Sequence, residues 1–262
     1  MTKCAAIDGH VHIHPRGDLA RLLNAALRNV RHHAGPGAEP CLLLTETAGT
    51  FAFDAICEGT RRAEGWSLER HASDPAAIRA ENETEGLWII AGQQIVTRER
   101  LEVLALATCD RHPDGATLDE TLAALRAARV PAVLPWGLGK WMGQRGKIIA
   151  ETISATGPKP LLGDNKGRPR GWPTPGVFSA DPACIVLPGS DPLPIPGSED
   201  IAGSYGFLLD PPLDPDRPAA ELAERLLALD TQPTTFGSRM GPFEAARVQV
   251  ALRRHKQPGP AA

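Results

Sequence analysis

Apolar runs alternate with amphipathic segments along most of the chain. CLLLTE, VPAVLPW and KPLLGDN are short, continuous and bounded by polar residues, as expected for strands buried in a parallel sheet. Behind Asp18, a suitable N-cap, leucines recur at the spacing of one helix face. Residues 50–63 also have a helical pattern, and TLDETLAALRAAR is expected to start with a capping box of Thr117 and Glu120. The pattern therefore predicts an alternation of strands and helices.

Seven or eight predicted strands separated by helices favour an α/β fold. We expect a (β/α) barrel, regular or distorted, that forms one domain over residues 1–262. The segment from about residue 64 to 108 is interpreted as an insertion, in which LWIIAGQQIV and LEVLALAT form a β-hairpin. A last helix is expected over residues 242–254. The carboxyl ends of parallel strands meet at one rim of a barrel, so the residues at those ends are the candidates for chemistry.

Composition narrows the functional classes. The chain has 262 residues, of which 42% are hydrophobic and 23% charged, and a formal net charge of −3. This balance is typical of a globular protein with a sizeable core, and it gives no reason to expect nucleic acid or a membrane as a partner. No apolar run approaches the ~20 residues of a membrane-spanning helix. The 5 cysteines show no CxxC spacing and the first residues do not resemble a secretory signal, so we expect free thiols and a cytoplasmic protein.

The segment AAIDGHVHIHP carries the most specific chemical signal. Residues two apart in a strand point to the same side, so His10 and His12 offer two imidazole nitrogens to one metal ion. Asp191, which follows a late strand in LPGSDP, is the best-placed residue to supply a third ligand. His14 stands before Pro15, beyond the strand, and is expected in a loop. The alternative for His10 and His12 is a hydrogen-bonded, partly exposed pair of histidines.

Further polar side chains follow the other predicted strands. Glu46 is expected to be a fourth ligand or general base, or else an ordinary carboxylate of the rim. Asp164 and Asn165 are expected to contact the metal or the substrate, or to form a turn, which Asp and Asn favour by themselves. Cations follow the same strands, and each is either a solvated surface charge or part of a site for a phosphate or carboxylate; they are Lys140, Arg145, Lys147, Lys166, Arg168 and Arg239.

IDGHVHIHP, TRERLEVLALA, DGATLDETLAALRAARVPAVLP and GSDP resemble, in this order, the polymerase-and-histidinol-phosphatase (PHP) domain, a distorted β/α barrel of the amidohydrolase-like group. The resemblance implies metal-dependent hydrolysis, usually of phosphoesters, at the strand ends. His10, His12 and Asp191 match the first-strand histidines and the late aspartate of that family. Gln93 and Gln94 stand where the family has a glutamate that bridges two metals. A single ion with three protein ligands is therefore expected.

Together, these features predict a metal-dependent hydrolase of a small anionic substrate, with phosphomonoesters ahead of amides or esters. Zinc or manganese is the expected ion, and iron also suits the ligands. A metal-activated water would attack the substrate, and one of Glu46, Asp164 and Asp191 would accept the proton of this water. The cations near residues 140–170 would orient the substrate. The alternative is a catalytically silent barrel that binds an anionic metabolite or a protein partner. The sequence sets no oligomeric state.

Overall fold

A computed structural model describes residues 3–137, 139–181 and 184–256, except the side chains of residues 255 and 256. These residues form thirteen strands and six α-helices. The strands are β1 (Ala5–Val11), β2 (Glu39–Leu44), β3 (Glu46–Thr47), β4 (Ser67–Arg70), β5 (Ala77–Glu81), β6 (Gly86–Ile90), β7 (Gly92–Val96), β8 (Glu102–Leu106), β9 (Ala132–Pro135), β10 (Leu161–Asn165), β11 (Val186–Gly189), β12 (Tyr205–Leu209) and β13 (Thr235–Gly237). The helices are α1 (Leu19–His33), α2 (Ala52–Cys57), α3 (Leu118–Ala127), α4 (Gly143–Ser154), α5 (Pro218–Leu227) and α6 (Pro242–Lys256).

The strands form two sheets in a mixed α/β fold. The first sheet has the order β13-β12-β1-β2-β6-β5-β4 and the second the order β11-β10-β9-β8-β7-β3. Five strand pairs are parallel and six are antiparallel. Within the described ranges no ladder of hydrogen bonds closes the sheets into a barrel. They do meet where the N–H of Asp191, just after β11, donates to the carbonyl of His10 in β1 at 2.8 Å.

The number of strands differs from the seven or eight expected. β4 and β5 belong to the predicted insertion, and β3 and β13 are too short to produce a sequence pattern. β7 and β8 form the expected hairpin. LWIIAGQQIV, however, is two strands, because β6 joins the first sheet and β7 the second. The chain changes sheets next to Gly92, where a Cβ would lie 2.3 Å from the carbonyl oxygen of Leu44. Only glycine permits this close approach.

The local signals at two helix starts are confirmed. Asp18 accepts a hydrogen bond from the first turn of α1 at 3.0 Å, and Thr117 and Glu120 form the capping box of α3. The helix expected over residues 50–63 is shorter, because α2 has only 6 residues. Gly59 follows it with a φ of +71°, a left-handed conformation that favours glycine and ends helices. Of the helices described, none has the length and apolar character that a bilayer crossing requires.

Two apolar clusters support the strand ends. The larger packs β1, β2 and β6 against α1 and α5, and the smaller packs β8, β9 and β10 against α3 and α4. In β10, Leu162 belongs to the smaller cluster, whereas Leu161 packs against the larger one. Successive side chains of a strand alternate between its faces, so Asp164 lies on the face of Leu162 and Asn165 on the face of Leu161. The two candidate residues of β10 therefore point in opposite directions.

Candidate metal centre

His10, His12 and Asp191 come together at the end of β1. The Nε2 atoms of the two histidines lie 3.0 Å apart, and each lies 3.6 Å from Oδ1 of Asp191. Ligand atoms around a tetrahedral zinc ion at the usual distances of ~2.0–2.1 Å lie roughly 3.3 Å from one another. Among the residues that the structure describes, this is the one group of three His, Cys or carboxylate side chains with ligand atoms within 4.8 Å of one another. Its spacing suits a metal ion, and we call His10, His12 and Asp191 the metal-ligand group.

The backbone around His10 explains how this residue reaches the group. All 7 residues of β1 are buried, and the pairing with β2 shifts register between Asp8 and Val11. Such irregularities re-aim side chains and are common beside active sites. Gly189 of β11 passes close by: a Cβ there would lie 2.4 Å from the Cβ of His10 and 2.5 Å from its backbone nitrogen. Glycine at residue 189 is thus needed for β11 to approach His10.

Asp191 adopts a backbone conformation that residues with a side chain rarely adopt. Its φ is +53°, in the left-handed region, and its N–H is held by the carbonyl of His10 at 2.8 Å. A conformation of this kind costs about 1–3 kcal/mol and persists only where the surroundings fix it, often at functional sites. Here it directs the carboxylate towards both imidazoles.

Burial keeps both imidazoles in the neutral form that binds metals. Burial lowers the pKa of His10 to about 4 and that of His12 to about 3, and it raises the pKa of Asp191. The 3.0 Å between the two Nε2 atoms suits either a hydrogen bond between the rings or two lone pairs that share a cation. A cation or shared protons between these groups would account for the carboxylate of Asp191 beside both nitrogens.

Asp8, two residues before His10, connects β1 to the segments around Ser190 and Gly203 through hydrogen bonds. Its Oδ1 accepts the N–H of Ser190 at 2.8 Å, and its Oδ2 accepts the Ser190 hydroxyl at 2.5 Å and the N–H of Gly203 at 2.8 Å. Burial nevertheless raises its pKa to about 6. These bonds tie β1 to the segment that carries Asp191. The sequence did not reveal this role, because the donors lie more than 180 residues away along the chain.

One of the predicted cations is electrostatically coupled to the metal-ligand group. Lys140 forms an ion pair with Glu102 at the start of β8. The Lys140 charge lowers the pKa of both histidines, and the Glu102 charge raises that of His10. Glu102 gives no signal in the sequence, because it begins a strand and the candidate residues are expected at strand ends. β8 runs antiparallel to β9, so the start of β8 lies at the rim.

Three other predicted cations, Arg145, Lys147 and Lys166, lie outside the metal-ligand group. Arg145 donates to the carbonyl of Gly139 at 2.8 Å and so holds the loop before α4. Lys147 is exposed on α4, and Nζ of Lys166 donates to the carbonyl of Ser238 at 2.9 Å. Over the described part of the chain, none of these three cations forms a hydrogen bond or ion pair with a member of the metal-ligand group.

Glu46 lies in β3, outside the metal-ligand group. Its Oε1 accepts the N–H of Phe53 at 2.7 Å, which caps the start of α2, and its Oε2 lies 3.5 Å from Nη2 of Arg111. Burial raises its pKa to about 7, in the range of a general base. The geometry nevertheless gives Glu46 a capping role at the rim and does not place it within ligand distance of His10 or His12.

Asp164 is surrounded by donors. Arg168 donates to both of its oxygens, from Nε and Nη2, at 2.7 Å each. The Tyr205 hydroxyl donates to Oδ2 at 3.0 Å, and Nε of Arg239 lies 4.0 Å from the same oxygen. A base or metal ligand here would have to break a buried ion pair, which is strongly unfavourable. The structure thus puts Asp164 and two of the predicted substrate-binding cations in one charge cluster.

Asn165 lies closer to the metal-ligand group along the sheet. It is the register partner of Gly189, which in turn touches His10. Its Nδ2 donates to the carbonyl of Trp136 at 2.8 Å, and this bond fixes the orientation of the amide. Its Oδ1 is buried and has no hydrogen-bond partner within the described structure. Asn165 therefore retains a free acceptor on the face opposite Asp164.

Comparison with known proteins identifies a fold but no family. No family profile matches the chain, and no curated protein has a significant match. Among solved structures, the chain is similar to the crystal structure of PsfC from Pseudomonas syringae PB-5123, with a TM-score of 0.58 and 16% sequence identity. The alignment covers 97% of this chain and 98% of that chain. At this level of identity, the likeness concerns the fold alone.

Proposed function

We propose that the protein is a metal-dependent hydrolase of a small anionic substrate, with one divalent ion held by His10, His12 and Asp191. The proposal rests on the convergence of two neutral imidazoles and one carboxylate at spacings of 3.0–3.6 Å. Two nitrogens and one oxygen suit zinc, and manganese or iron are the next candidates. Three protein ligands also leave a position for water, as in catalytic zinc sites.

The ion and the side chains around it would have different roles in the reaction. When bound, the ion would lower the pKa of a water molecule and polarise the bond to be cleaved. Oδ1 of Asp191 lies near both imidazoles, which leaves Oδ2 to accept the proton of the attacking water. Lys140, whose charge is felt by both histidines, would hold the anionic group of the substrate.

The proposed reaction is phosphomonoester hydrolysis in the cytoplasm, by a distorted barrel of the PHP type. The resemblance of the sequence segments supports this choice, and so does the meeting of the two sheets at β1 and β11. The 5 cysteines are free thiols, in keeping with a reducing compartment. Glu46 and Asp164 are engaged elsewhere, which favours one ion over a bridged cluster.

The proposal is tested by assaying the purified protein against p-nitrophenyl phosphate and p-nitrophenyl acetate with added zinc, manganese or ferrous iron. We expect phosphatase activity that requires the ion and falls at least about 100-fold in His10→Ala and His12→Ala. His14→Ala is the matched control, because this third imidazole contacts the carbonyl of Pro192 at 2.8 Å. Protein that binds the ion yet hydrolyses neither compound would favour the silent alternative.

A further inference from the structure

A second polar cluster at the strand ends carries excess positive charge. We name Asp164, Arg168, Tyr205 and Arg239 the guanidinium cluster. Arg168 is 4% exposed and forms a two-point ion pair with Asp164. Arg239 adds a second guanidinium 4.0 Å from the same carboxylate. Nη1 of Arg168 and Nη1 of Arg239 are both buried without a hydrogen-bond partner among the described residues.

The cluster lacks one negative charge. Tyr205 donates its hydroxyl hydrogen to Asp164, and burial raises its pKa, so Tyr205 is neutral at pH 7. Two guanidiniums therefore face one carboxylate. Elsewhere in the described chain no carboxylate lies within 4.0 Å of either guanidinium. Buried charges are paired in folded proteins, because burial without a partner is costly. The two unpartnered N–H groups need acceptor oxygens.

We propose that Arg168 and Arg239 bind an oxyanion, either a phosphate or a carboxylate, through these two Nη1 atoms. Guanidinium groups match the oxygen spacing of both anions and are the usual choice for buried recognition of them. Nη2 of Arg168 and Nε of Arg239 lie 2.7 and 4.0 Å from the same oxygen, Oδ2 of Asp164, so the two guanidiniums are neighbours. The ring of Phe178 covers Arg168, with its centroid 5.6 Å from the guanidinium carbon, whereas the Arg239 side chain is 24% exposed.

The oxyanion has two sources. In the first case it is a second anionic group of the substrate, and the inference then rests on the proposed function. In the second case it is a free anion that stabilises the fold. Asp164 and Asn165 point to opposite faces of β10, and the guanidinium cluster lies on the Asp164 face. Anion binding there does not require the metal ligands, so the two proposals fail independently.

The test is thermal unfolding of chelator-treated, metal-free protein in sodium phosphate and in sodium chloride of equal ionic strength. We expect phosphate to raise Tm by about 5 °C at a concentration of roughly 100 times Kd. His10→Ala should show the same rise, since it removes a metal ligand but leaves the cluster intact. Arg239→Gln should lose the rise. Lys147→Gln, an exposed cation of α4, is the control and should keep it.

An equal rise in wild type and Arg239→Gln would overturn the proposal, since it would show a general effect of salt. Absence of any rise would overturn it too, and would mean that water satisfies both guanidiniums. The source follows from the turnover, by the metal-loaded protein, of 4-carboxyphenyl phosphate, a phosphomonoester that carries a second anionic group. A KM raised about tenfold in Arg239→Gln, with kcat unchanged, identifies a substrate group. An unchanged KM together with lost phosphate binding identifies a free anion.

Discussion

Asp164 and Asp191 follow neighbouring strands, β10 and β11, yet their surroundings are opposite. Asp164 receives three hydrogen bonds, two from Arg168 and one from Tyr205. Asp191 faces two imidazoles whose nitrogens are 3.6 Å away. Among the described residues, no guanidinium lies within 4.0 Å of this carboxylate, and burial keeps the nearby histidines neutral. One carboxylate already has its positive partner, and the other one lacks it.

The difference separates a structural carboxylate from a candidate ligand. Neutral imidazoles and a carboxylate turn lone pairs towards one another, and this arrangement is favourable only with a cation or shared protons between them. Donors that surround a carboxylate instead consume its lone pairs and fix its position. The chemistry of a rim residue therefore depends on the groups that it faces more than on its place at the end of a strand.

The largest effect is expected from Arg168→Met, which removes the two-point ion pair of buried Asp164 and leaves it the Tyr205 hydroxyl and the more distant Arg239. The free energy of unfolding should fall by about 3–5 kcal/mol in urea titrations. Arg145→Met, which removes a cation whose hydrogen bonds in the described chain go to backbone carbonyls, should change it by less than about 1 kcal/mol. The double variant Asp164→Asn/Arg168→Met should recover part of the loss. Equal losses of unfolding free energy in Arg168→Met and Arg145→Met would show that the ion pair of Arg168 with Asp164 does not stabilise the fold.

Gly189→Ala should disrupt the other region. The new Cβ would lie 2.4 Å from the Cβ of His10, so β11 and β1 must move apart. We expect a loss of about 3 kcal/mol of stability, at the upper end of the range for overpacking, and at least tenfold weaker zinc binding. Gly176→Ala is the control, because a Cβ there meets nothing within 4 Å. Unchanged zinc affinity in Gly189→Ala would show that the contact between Gly189 and His10 does not position the metal ligands.

Glu46→Gln should change how the stability of the protein depends on pH. The pKa of Glu46 in the folded state, about 7, lies above its ordinary value of 4.5, because the carboxyl is buried. Its contribution to stability is therefore complete below about pH 4.5 and is lost as pH rises through 7. Relative to Glu46→Gln, wild type should lose about 2 kcal/mol between pH 5 and pH 8 in urea titrations. Parallel pH profiles for the two proteins would show that Glu46 keeps an ordinary pKa.

The smallest effect is expected from Lys140→Met. If Lys140 holds the anionic group beside the metal, KM for p-nitrophenyl phosphate should rise about tenfold while the bound metal stays at its wild-type level. Lys147→Met, an exposed lysine of α4, should leave KM unchanged. A loss of metal in Lys140→Met would mean that the lysine supports the ligands instead of the substrate.

Much of the fold follows from local patterns in the sequence. The N-cap Asp18, the capping box of α3 and the hairpin of β7 and β8 were all predicted correctly, since each depends on residues a few positions apart. The division of residues 86–96 between two sheets was not predicted. It depends on the close approach of Gly92 to Leu44, which belongs to a distant strand. The contact between the two sheets, where the N–H of Asp191 donates to the carbonyl of His10, likewise joins residues that are distant along the chain.

The candidate site could be predicted only in part for the same reason. The alternation of His10 and His12 along β1 is visible in the sequence, and the structure brings Asp191 to them. The sequence cannot show that Arg168 folds back onto Asp164, four residues earlier, and occupies both of its carboxylate oxygens. Nor can it show Glu102, which reaches the rim because β8 runs antiparallel to its neighbours.

The most direct test of the account is the metal content of the protein after dialysis against zinc and then against metal-free buffer. The account predicts close to one zinc per chain for wild type and for His14→Ala. It predicts at least about 100-fold weaker binding, and hence little retained zinc, for His10→Ala, His12→Ala and Asp191→Ala. Wild-type protein that retains no metal, or an Asp191→Ala variant that retains as much as wild type, would contradict it.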